Sequence, residues 1–182
     1  GQVDGQRFAG PRRQVQGRPG RRAEREIGDA RSPLLRLDRD GIDHLPADVH
    51  AIITQRLIAA PRERVWAAFR DPVALAWWWG PAGFTNTFHE FDFRPGGAWR
   101  FTMRGPDGTA YAMDHRFVEI VAGERLVVRH LQPGHDFTLT ITLAAEGVQT
   151  RLAWNLLFDD PAEAARVRAF VRPANEQNFD RL

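Results

Sequence analysis

The chain of 182 residues is long enough for one domain with a hydrophobic core, and its formal net charge is only +2. All 25 basic residues are arginine, cysteine is absent, and Ser32 is the only serine. This composition excludes lysine Schiff-base chemistry, thiolate catalysis, disulfides and cysteine-ligated zinc, and it argues against a serine hydrolase.

Hydropathy gives no sign of a membrane or a secretory segment. No apolar stretch approaches the roughly 18 residues that a membrane-spanning helix needs. Residues 1–30 also lack the apolar centre of a secretory signal. The sequence therefore predicts a soluble, cytoplasmic protein without a membrane span.

Residues 1–48 are rich in Arg, Gly, Pro, Gln and Asp and have no sustained apolar period, so we expect a disordered tail. They hold ten arginines and eight acidic residues, whereas residues 49–182 hold 15 of each. The segment PRRQVQGRPGRR, at residues 11–22, is typical of a nucleic-acid arm. Acidic residues follow it directly and weaken its field, so we expect a solvated extension and no nucleic-acid partner.

The folded domain is predicted over residues 49–182. Residues 52–60 read as a strand, residues 61–69 as a helix with proline first, and residues 71–81 as a second short helix that ends at Gly80-Pro81. Strands separated by turn signals follow, which is typical of an antiparallel meander. The turns lie at residues 95–97, 106–108, 122–123, 133–134 and 146–147.

A third helix is predicted from residue 159, with Asp160 as N-cap, Pro161 at the first position and Glu163 in a capping box. Apolar residues alternate along the strands, so one face of the sheet needs a cover. We therefore expect an α+β fold in which a curved antiparallel sheet of six to seven strands grips the C-terminal helix on its concave face. The space between sheet and helix is a natural ligand cavity.

Several blocks carry a family resemblance: LAWWWGPAGFT (75–85), DFRPGGAW (92–99), FTMRGPDGTAY (101–111) and GERLVV (123–128). In this order they resemble the activator of heat-shock-protein ATPase homologue family, within the START/SRPBCC helix-grip superfamily, over about residues 51–182. The resemblance implies a helix-grip fold, a hydrophobic cavity and binding of a small molecule or lipid. Polyketide cyclases, aromatases and a co-chaperone domain share the architecture, so fold alone does not fix the function.

The chain departs from the family pattern in its last helix. Asn178-Phe179 replaces a Gly-Trp pair, and Pro173 is expected to interrupt the helix. This interruption implies a truncated helix or an unusually short lid over the cavity.

Turn centres set the register of a meander, and they place two histidines side by side on the apolar face. In this register Phe91 pairs with Phe101. The central row is predicted to be Phe93, Trp99, His115, His130 and Phe137. His115 and His130 are candidate catalytic residues, as a general acid/base pair. No acidic partner is predicted in their row, so we prefer a role in tuning pocket polarity.

The remaining histidines, the tyrosine and the strand arginines are placed on one or the other face of the sheet without a catalytic role. His89 is predicted on the inner face beside Phe91, but it lies two rows from the histidine pair, so we expect no metal site. His135 reads as a surface residue, and Tyr111 is predicted to point inward. Alternating arginines are assigned to the wet outer face, paired with carboxylates; they are Arg100, Arg104, Arg116, Arg129 and Arg151.

The run Trp77-Trp78-Trp79 closes the second short helix, and three successive indoles fan over about 200°. We expect Trp78 or Trp79 in the core and Trp77 or its neighbour at the rim of the cavity. The full predicted cavity lining is Trp77, Trp78, Trp79, Phe91, Phe93, Trp99, Phe101, Met103, Tyr111, Met113, Phe117, Val128, Phe137, Leu139, Trp154 and Phe170.

The preferred function is binding of a hydrophobic or aromatic small molecule or lipid, without a cofactor. The alternatives are a polyketide cyclase/aromatase-like enzyme that uses the histidine pair, and a co-chaperone-like protein-interaction module, for which a protein partner is possible.

Overall fold

The computed structural model describes residues 50–182, and the predicted tail with its arginine segment at residues 11–22 lies outside the described residues. Within the described part the elements are, in chain order, β1 (Ala51–Ile58), α1 (Arg62–Arg70), α2 (Pro72–Trp78), β2 (Thr85–Phe91), β3 (Ala98–Arg104), β4 (Ala110–Val121), β5 (Arg125–His130), β6 (Phe137–Glu146), β7 (Gln149–Phe158) and α3 (Pro161–Arg181).

The strands form one antiparallel sheet in the order β1-β7-β6-β5-β4-β3-β2. Strands β2 to β7 form a meander. Strand β1 pairs with β7, so it is the edge strand opposite β2. Two short helices follow β1, and α3 packs on β1 and β7. The predicted α+β class, with its curved sheet and C-terminal helix, is confirmed.

Local sequence explains where the helices begin. Asp71 ends α1 and starts α2, and its Oδ1 accepts a hydrogen bond from the Val73 N–H at 2.9 Å. Asp160 caps the start of α3 in the same way, because its Oδ1 accepts a hydrogen bond from the Ala162 N–H at 2.8 Å. Proline occupies the first turn of both helices, where its missing N–H has no helical partner to lose.

Helix α3 runs through Pro173 without a break, so the predicted interruption is wrong. Contacts on the far side of the proline hold the helix to the sheet. The Asn175 side chain donates to Thr54 Oγ1 at 3.0 Å, and Arg56 forms an ion pair with Glu176. These contacts to β1 offset the cost of the lost helical hydrogen bond at the proline.

The pairing of β2 with β3 differs from the prediction for two reasons: the turn is centred one residue earlier, and a β-bulge lies between Phe88 and Glu90. Trp99 pairs with Phe91 rather than with Phe93, and Phe101 pairs with Phe88 rather than with Phe91. The turn is centred on Pro95, one residue earlier than predicted. Its chain path is tight, because a Cβ at Gly97 would lie 1.9 Å from the Asp92 carbonyl oxygen.

The bulge also displaces His89 from the inner face. Its side chain is exposed, and its Nε2 lies 2.8 Å from Thr102 Oγ1. A bulge inserts one residue into the strand and reverses the direction of the side chains beyond it. The prediction that His89 shares a face with Phe91 is therefore wrong.

The core lies between the concave face of the sheet and the three helices. Helix α1 contributes Val65, Trp66 and Phe69, and α2 contributes Leu75 and Trp78. Trp79 follows directly in an extended conformation, with φ −66° and ψ 136°. Its ring contacts the rings of three other tryptophans, with centroids 5.5 Å (Trp78), 4.9 Å (Trp99) and 4.9 Å (Trp154) away.

Candidate functional site

The candidate site is the row of side chains that crosses the middle of the inner face. The predicted pairings of Trp99 with His115, His115 with His130, and His130 with Phe137 are confirmed. In the structure the row begins at Phe91 and ends at Phe158, which pairs with Phe137. Two imidazoles thus lie in the centre of an aromatic row.

The two imidazoles are buried and hydrogen-bonded to each other. His115 is 4% exposed and His130 is 1% exposed. His130 Nδ1 lies 3.0 Å from His115 Nε2. The His115 ring stacks on the Trp99 ring at 5.0 Å and on the Phe101 ring at 5.4 Å. His130 stacks on Phe137 at 4.6 Å, so each imidazole is held in one orientation.

The neighbouring Gln132 indicates which imidazole donates and which accepts in the hydrogen bond between the two rings. His130 Nε2 lies 3.3 Å from Gln132 Oε1, an oxygen that can only accept, and we therefore assign the proton of His130 to Nε2. A neutral His130 then accepts at Nδ1, and the His115 Nε2–H donates to it. His115 Nδ1 is left as a bare acceptor without a hydrogen-bond partner in the described structure.

Burial keeps both rings neutral near pH 7. It lowers the pKa of His115 from 6.5 to about 3, with His130 as a further cause. The Trp99 backbone opposes this shift without reaching hydrogen-bond geometry at Nδ1. Burial also lowers the pKa of His130 to about 4, a shift that its bond to Gln132 partly offsets.

Two indole N–H groups on the inner face, like His115 Nδ1, are buried without a hydrogen-bond partner in the described structure. Trp99 Nε1 and Trp154 Nε1 are buried and have no partner among the described residues. Both rings contact the ring of Trp79, each with centroids 4.9 Å apart. The inner face thus carries two buried donors and one buried acceptor in aromatic surroundings. An unsatisfied buried polar group costs about 1–3 kcal/mol, and native proteins hold few of them.

One acidic side chain near the site was not predicted from the sequence, and it contacts His135 rather than the histidine pair itself. Glu163 is buried at the start of α3 and bonds His135 Nδ1 and Arg166, so it does not form the predicted capping box. Arg166, followed by His135, lowers the pKa of Glu163 to about 2. The His135 ring lies edge-on to the His130 ring at 5.7 Å.

His135 lies in the turn before β6, and its side chain is 30% exposed, so it is half-buried beside the site. Its position just before β6 was the available signal, since the register places it beside Gln132, whose carbonyl accepts its N–H at 2.8 Å. Glu163 gave no such signal, because its approach depends on how α3 docks.

The structure sorts the remaining residues of the predicted cavity lining into three groups. Trp77, Tyr111 and Phe170 are 72%, 46% and 69% exposed, so none of the three lies in the core. Tyr111 pairs with Met103 and shares the strand face of Met113 and His115, but it lies at the exposed end of that face. Phe170 lies outside the stripe of α3 that contains the buried Ala164 and Val167. The partly buried group is Phe91, Phe93, Met103, Met113 and Phe137, and the buried group is Trp78, Trp79, Trp99, Phe101, Phe117, Val128, Leu139 and Trp154.

Three of the five arginines predicted on the outer face, Arg100, Arg129 and Arg151, form ion pairs, whereas Arg104 donates to the Gly108 carbonyl instead. Arg100 bonds Glu90 at 2.6 Å and Asp114 at 3.4 Å, and Arg151 bonds Glu146 at 2.9 Å. These pairs are half-exposed, so each contributes little to stability.

Neither a metal site nor a membrane span is found in the described part of the chain. Residues 50–182 hold no group of three or more His, Asp or Glu side chains arranged for a metal ion. None of the helices described there combines the length and apolar character needed to cross a bilayer.

The last turn of α3 fastens the loop that carries the tryptophan run. The buried Gly80 N–H donates to Asn178 Oδ1 at 2.6 Å. The Arg181 guanidinium donates to the carbonyl oxygens of Trp77 (2.5 Å), Gly80 (3.0 Å) and Pro81 (3.1 Å). The residue that departs from the family pattern at position 178 therefore closes one end of the core.

Replacing Asn178 with alanine should lower the free energy of unfolding by about 1–3 kcal/mol, because it leaves the buried Gly80 N–H without an acceptor. Urea denaturation measures this change. Gln177→Ala is the matched control, since Gln177 accepts from Ala82 at an exposed site. That variant should change stability by less than about 0.5 kcal/mol. Equal effects of the two substitutions would contradict the fastening role of Asn178.

Comparison with known proteins agrees with this geometry. Residues 59–182 match the family described as Activator of Hsp90 ATPase homolog 1-like protein. Comparison with curated proteins gives no match.

Solved structures provide the fold comparison. A crystal structure of a Chromobacterium violaceum protein shares 30% identity, with a TM-score of 0.61, over 72% of this chain and 95% of that one. A Rhodobacter sphaeroides protein shares 25% identity over 72% and 88% of the two chains, with a TM-score of 0.65. An Arthrobacter aurescens protein shares 22% identity over 72% and 83%, with a TM-score of 0.67. The chain therefore belongs to the Activator of Hsp90 ATPase homolog 1-like family.

Proposed function

We propose that the domain binds a hydrophobic or aromatic small molecule on the inner face of the sheet. The observation that carries this proposal is the set of three buried polar atoms without partners: Trp99 Nε1, Trp154 Nε1 and His115 Nδ1. In native proteins such atoms are satisfied by protein, water or ligand. A molecule with an apolar body and a polar group would satisfy both the aromatic surroundings and these atoms.

Partly buried apolar side chains beside the row support a route to it. Phe91 and Phe93 stack on each other at 5.6 Å, and Phe91 contacts Trp99 at 6.1 Å and Phe117 at 5.5 Å. They lie at the β2 end of the sheet, whereas α3 packs on β1 and β7 at the other end. A ligand would therefore approach from the β2 side and pack against these partly buried rings, without moving the helix.

The test is titration with N-phenyl-1-naphthylamine, a neutral fluorophore that brightens in apolar surroundings. We expect saturable binding and a melting temperature that rises with probe concentration, because a ligand of the native state adds about 2.7 kcal/mol at 100 times its Kd. Phe91→Ala should weaken binding at least fivefold. Phe170→Ala, which alters an exposed ring on α3, is the matched control and should bind as the parent does. Absence of saturable binding would contradict the proposal.

The hydrogen-bonded chain from His115 through His130 to Gln132 favours a second candidate, a polyketide cyclase/aromatase-like enzyme. Gln132 is exposed, so the hydrogen-bonded chain reaches from the interior to the surface, and the two imidazoles are its groups that can exchange a proton. Mass spectrometry of a ligand incubated with the protein distinguishes the candidates. Recovery of an unchanged ligand supports binding alone.

A co-chaperone-like role has less support from the sheet. It would call for an accessible apolar or charged patch on the outer face. Arginines there are already paired, as in Arg100 with Glu90 and Arg125 with Glu119.

A further inference from the structure

We infer that the site selects a neutral ligand whose buried polar group donates a hydrogen bond, an alcohol or phenol hydroxyl, and that His115 Nδ1 is the acceptor that reads it. This inference rests on the proposed binding function and adds the chemical class of the ligand. It follows from the direction of one hydrogen-bond chain, the charges of the interior and the neighbour of His115 in the sheet.

The direction of the hydrogen bonds from His115 through His130 to Gln132 decides whether His115 Nδ1 is a donor or an acceptor. With the Gln132 oxygen as acceptor, the proton of His130 is assigned to Nε2, and the proton of His115 is assigned to its Nε2, where His130 Nδ1 can accept it. In a neutral imidazole only one nitrogen carries a proton, so His115 Nδ1 carries a lone pair. This atom is buried and has no partner in the described structure, and it can be satisfied only by a donor.

The charges of the interior exclude ionic ligands. Among residues 50–182, Glu163 is the only buried acidic or basic side chain other than the two histidines, and it is already paired with Arg166 and His135. A carboxylate ligand would place its lone pairs against the lone pair of His115 Nδ1, with no cation beside it. An ammonium ligand would be buried without a counter-ion. Both arrangements carry the desolvation cost of an unpaired charge, which a neutral hydroxyl avoids.

Trp99 supplies a hydrogen-bond donor beside the acceptor of His115. It pairs directly with His115 across β3 and β4, the two rings stack at 5.0 Å, and its buried Nε1–H has no acceptor. A hydroxyl group has one donor and two acceptor lone pairs, so a single hydroxyl can donate to His115 and accept from Trp99. An ether oxygen can satisfy only the indole, and a hydrocarbon satisfies neither.

Three naphthalenes of similar size test this inference at pH 7: 2-naphthol, 2-methoxynaphthalene and 2-naphthoate. Binding is measured by calorimetry and by quenching of tryptophan fluorescence. We expect 2-naphthol to bind at least tenfold more tightly than 2-methoxynaphthalene, and 2-naphthoate to bind most weakly. His115→Phe keeps a flat ring between Trp99 and Phe101 but removes the acceptor. In that variant 2-naphthol should fall to within twofold of 2-methoxynaphthalene, whose own affinity should hardly change.

The outcomes separate this inference from the binding function. Equal affinity of the parent protein for 2-naphthol and 2-methoxynaphthalene would overturn the role of His115 while leaving ligand binding intact. Tightest binding of 2-naphthoate would overturn the neutral-ligand inference in the same way. If none of the three binds, the binding function itself fails. These outcomes are read on the parent protein, so they do not depend on whether His115→Phe folds.

Discussion

Replacing Trp79 with alanine should lower the free energy of unfolding by about 3–5 kcal/mol, the range found for large aromatic residues removed from cores. Trp79 is 8% exposed, and its ring contacts Trp99 and Trp154 with centroids 4.9 Å from each. Alanine would leave a cavity between two strands that are not neighbours in the sheet. Urea denaturation followed by circular dichroism measures the change.

The neighbouring Trp77 provides a matched control, because it is the same residue type in the same run but 72% exposed. Trp77→Ala should change stability by less than about 0.5 kcal/mol. Its backbone carbonyl still accepts from Arg181 after the substitution, so the loop stays fastened. Comparable losses in the two variants would contradict the separation of the run into buried and exposed rings.

The different environments of the tryptophans follow from where α2 ends. The helix stops at Trp78, and Trp79 is extended, so its side chain leaves the helical progression and turns toward the sheet. The predicted fan of three indoles assumed three helical residues about 100° apart, and it applies only to Trp77 and Trp78 because Trp79 lies outside the helix. Which ring meets Trp99 and Trp154 could not be predicted, since that depends on how α2 is placed over β2.

The central row could be predicted because its turns are short. The turn after β4 is closed by the Glu124 N–H to the Val121 carbonyl at 3.0 Å, and the turn before β6 by the His135 N–H to the Gln132 carbonyl at 2.8 Å. The turn after β4 pairs Val121 with Arg125, and a bulge between Phe117 and Glu119 then shifts the register by one residue and brings His115 opposite His130. This pairing was therefore predicted correctly although the bulge was not foreseen. The pairing of Trp99 was predicted wrongly because the turn before β3 is centred on Pro95 rather than on Gly96. The bulge between Phe88 and Glu90 shifts the pairing of Phe101 by one further residue.

Contacts that depend on how α3 packs against the sheet could not be predicted from the sequence. The Glu163 contact with His135 joins residues 28 positions apart through the placement of α3 on the sheet. The continuity of α3 through Pro173 likewise depends on contacts with β1, such as Asn175 with Thr54. Local propensity gives the opposite answer at a proline, and tertiary contacts decide it. The unpartnered His115 Nδ1 became visible only after every neighbouring atom was placed.

Lowering the pH from 7.5 to 5.0 should destabilise the fold through the two buried histidines. Their pKa values are lowered from 6.5 to about 3 for His115 and about 4 for His130, because burial disfavours the charged ring. Below pH 6.5 the unfolded chain takes up protons that the folded chain refuses, so the free energy of unfolding falls as pH falls toward 4. A shift of this size is worth about 2 kcal/mol at pH 5 for each histidine, as an upper value.

Urea denaturation at both pH values measures this loss, and two variants assign it. His115→Phe removes one of the two buried imidazoles and should remove about half of the pH dependence, whatever its effect on absolute stability. His89→Asn replaces a histidine that is exposed in the bulge and should leave the dependence unchanged. Glu163, with an ordinary pKa of 4.5 lowered to about 2, acts mainly below this range. Stability that stays flat between pH 7.5 and 5.0 would show that the histidine pair is protonated or hydrated in the folded protein, and the direction of the hydrogen-bond chain on which ligand selection rests would then be lost.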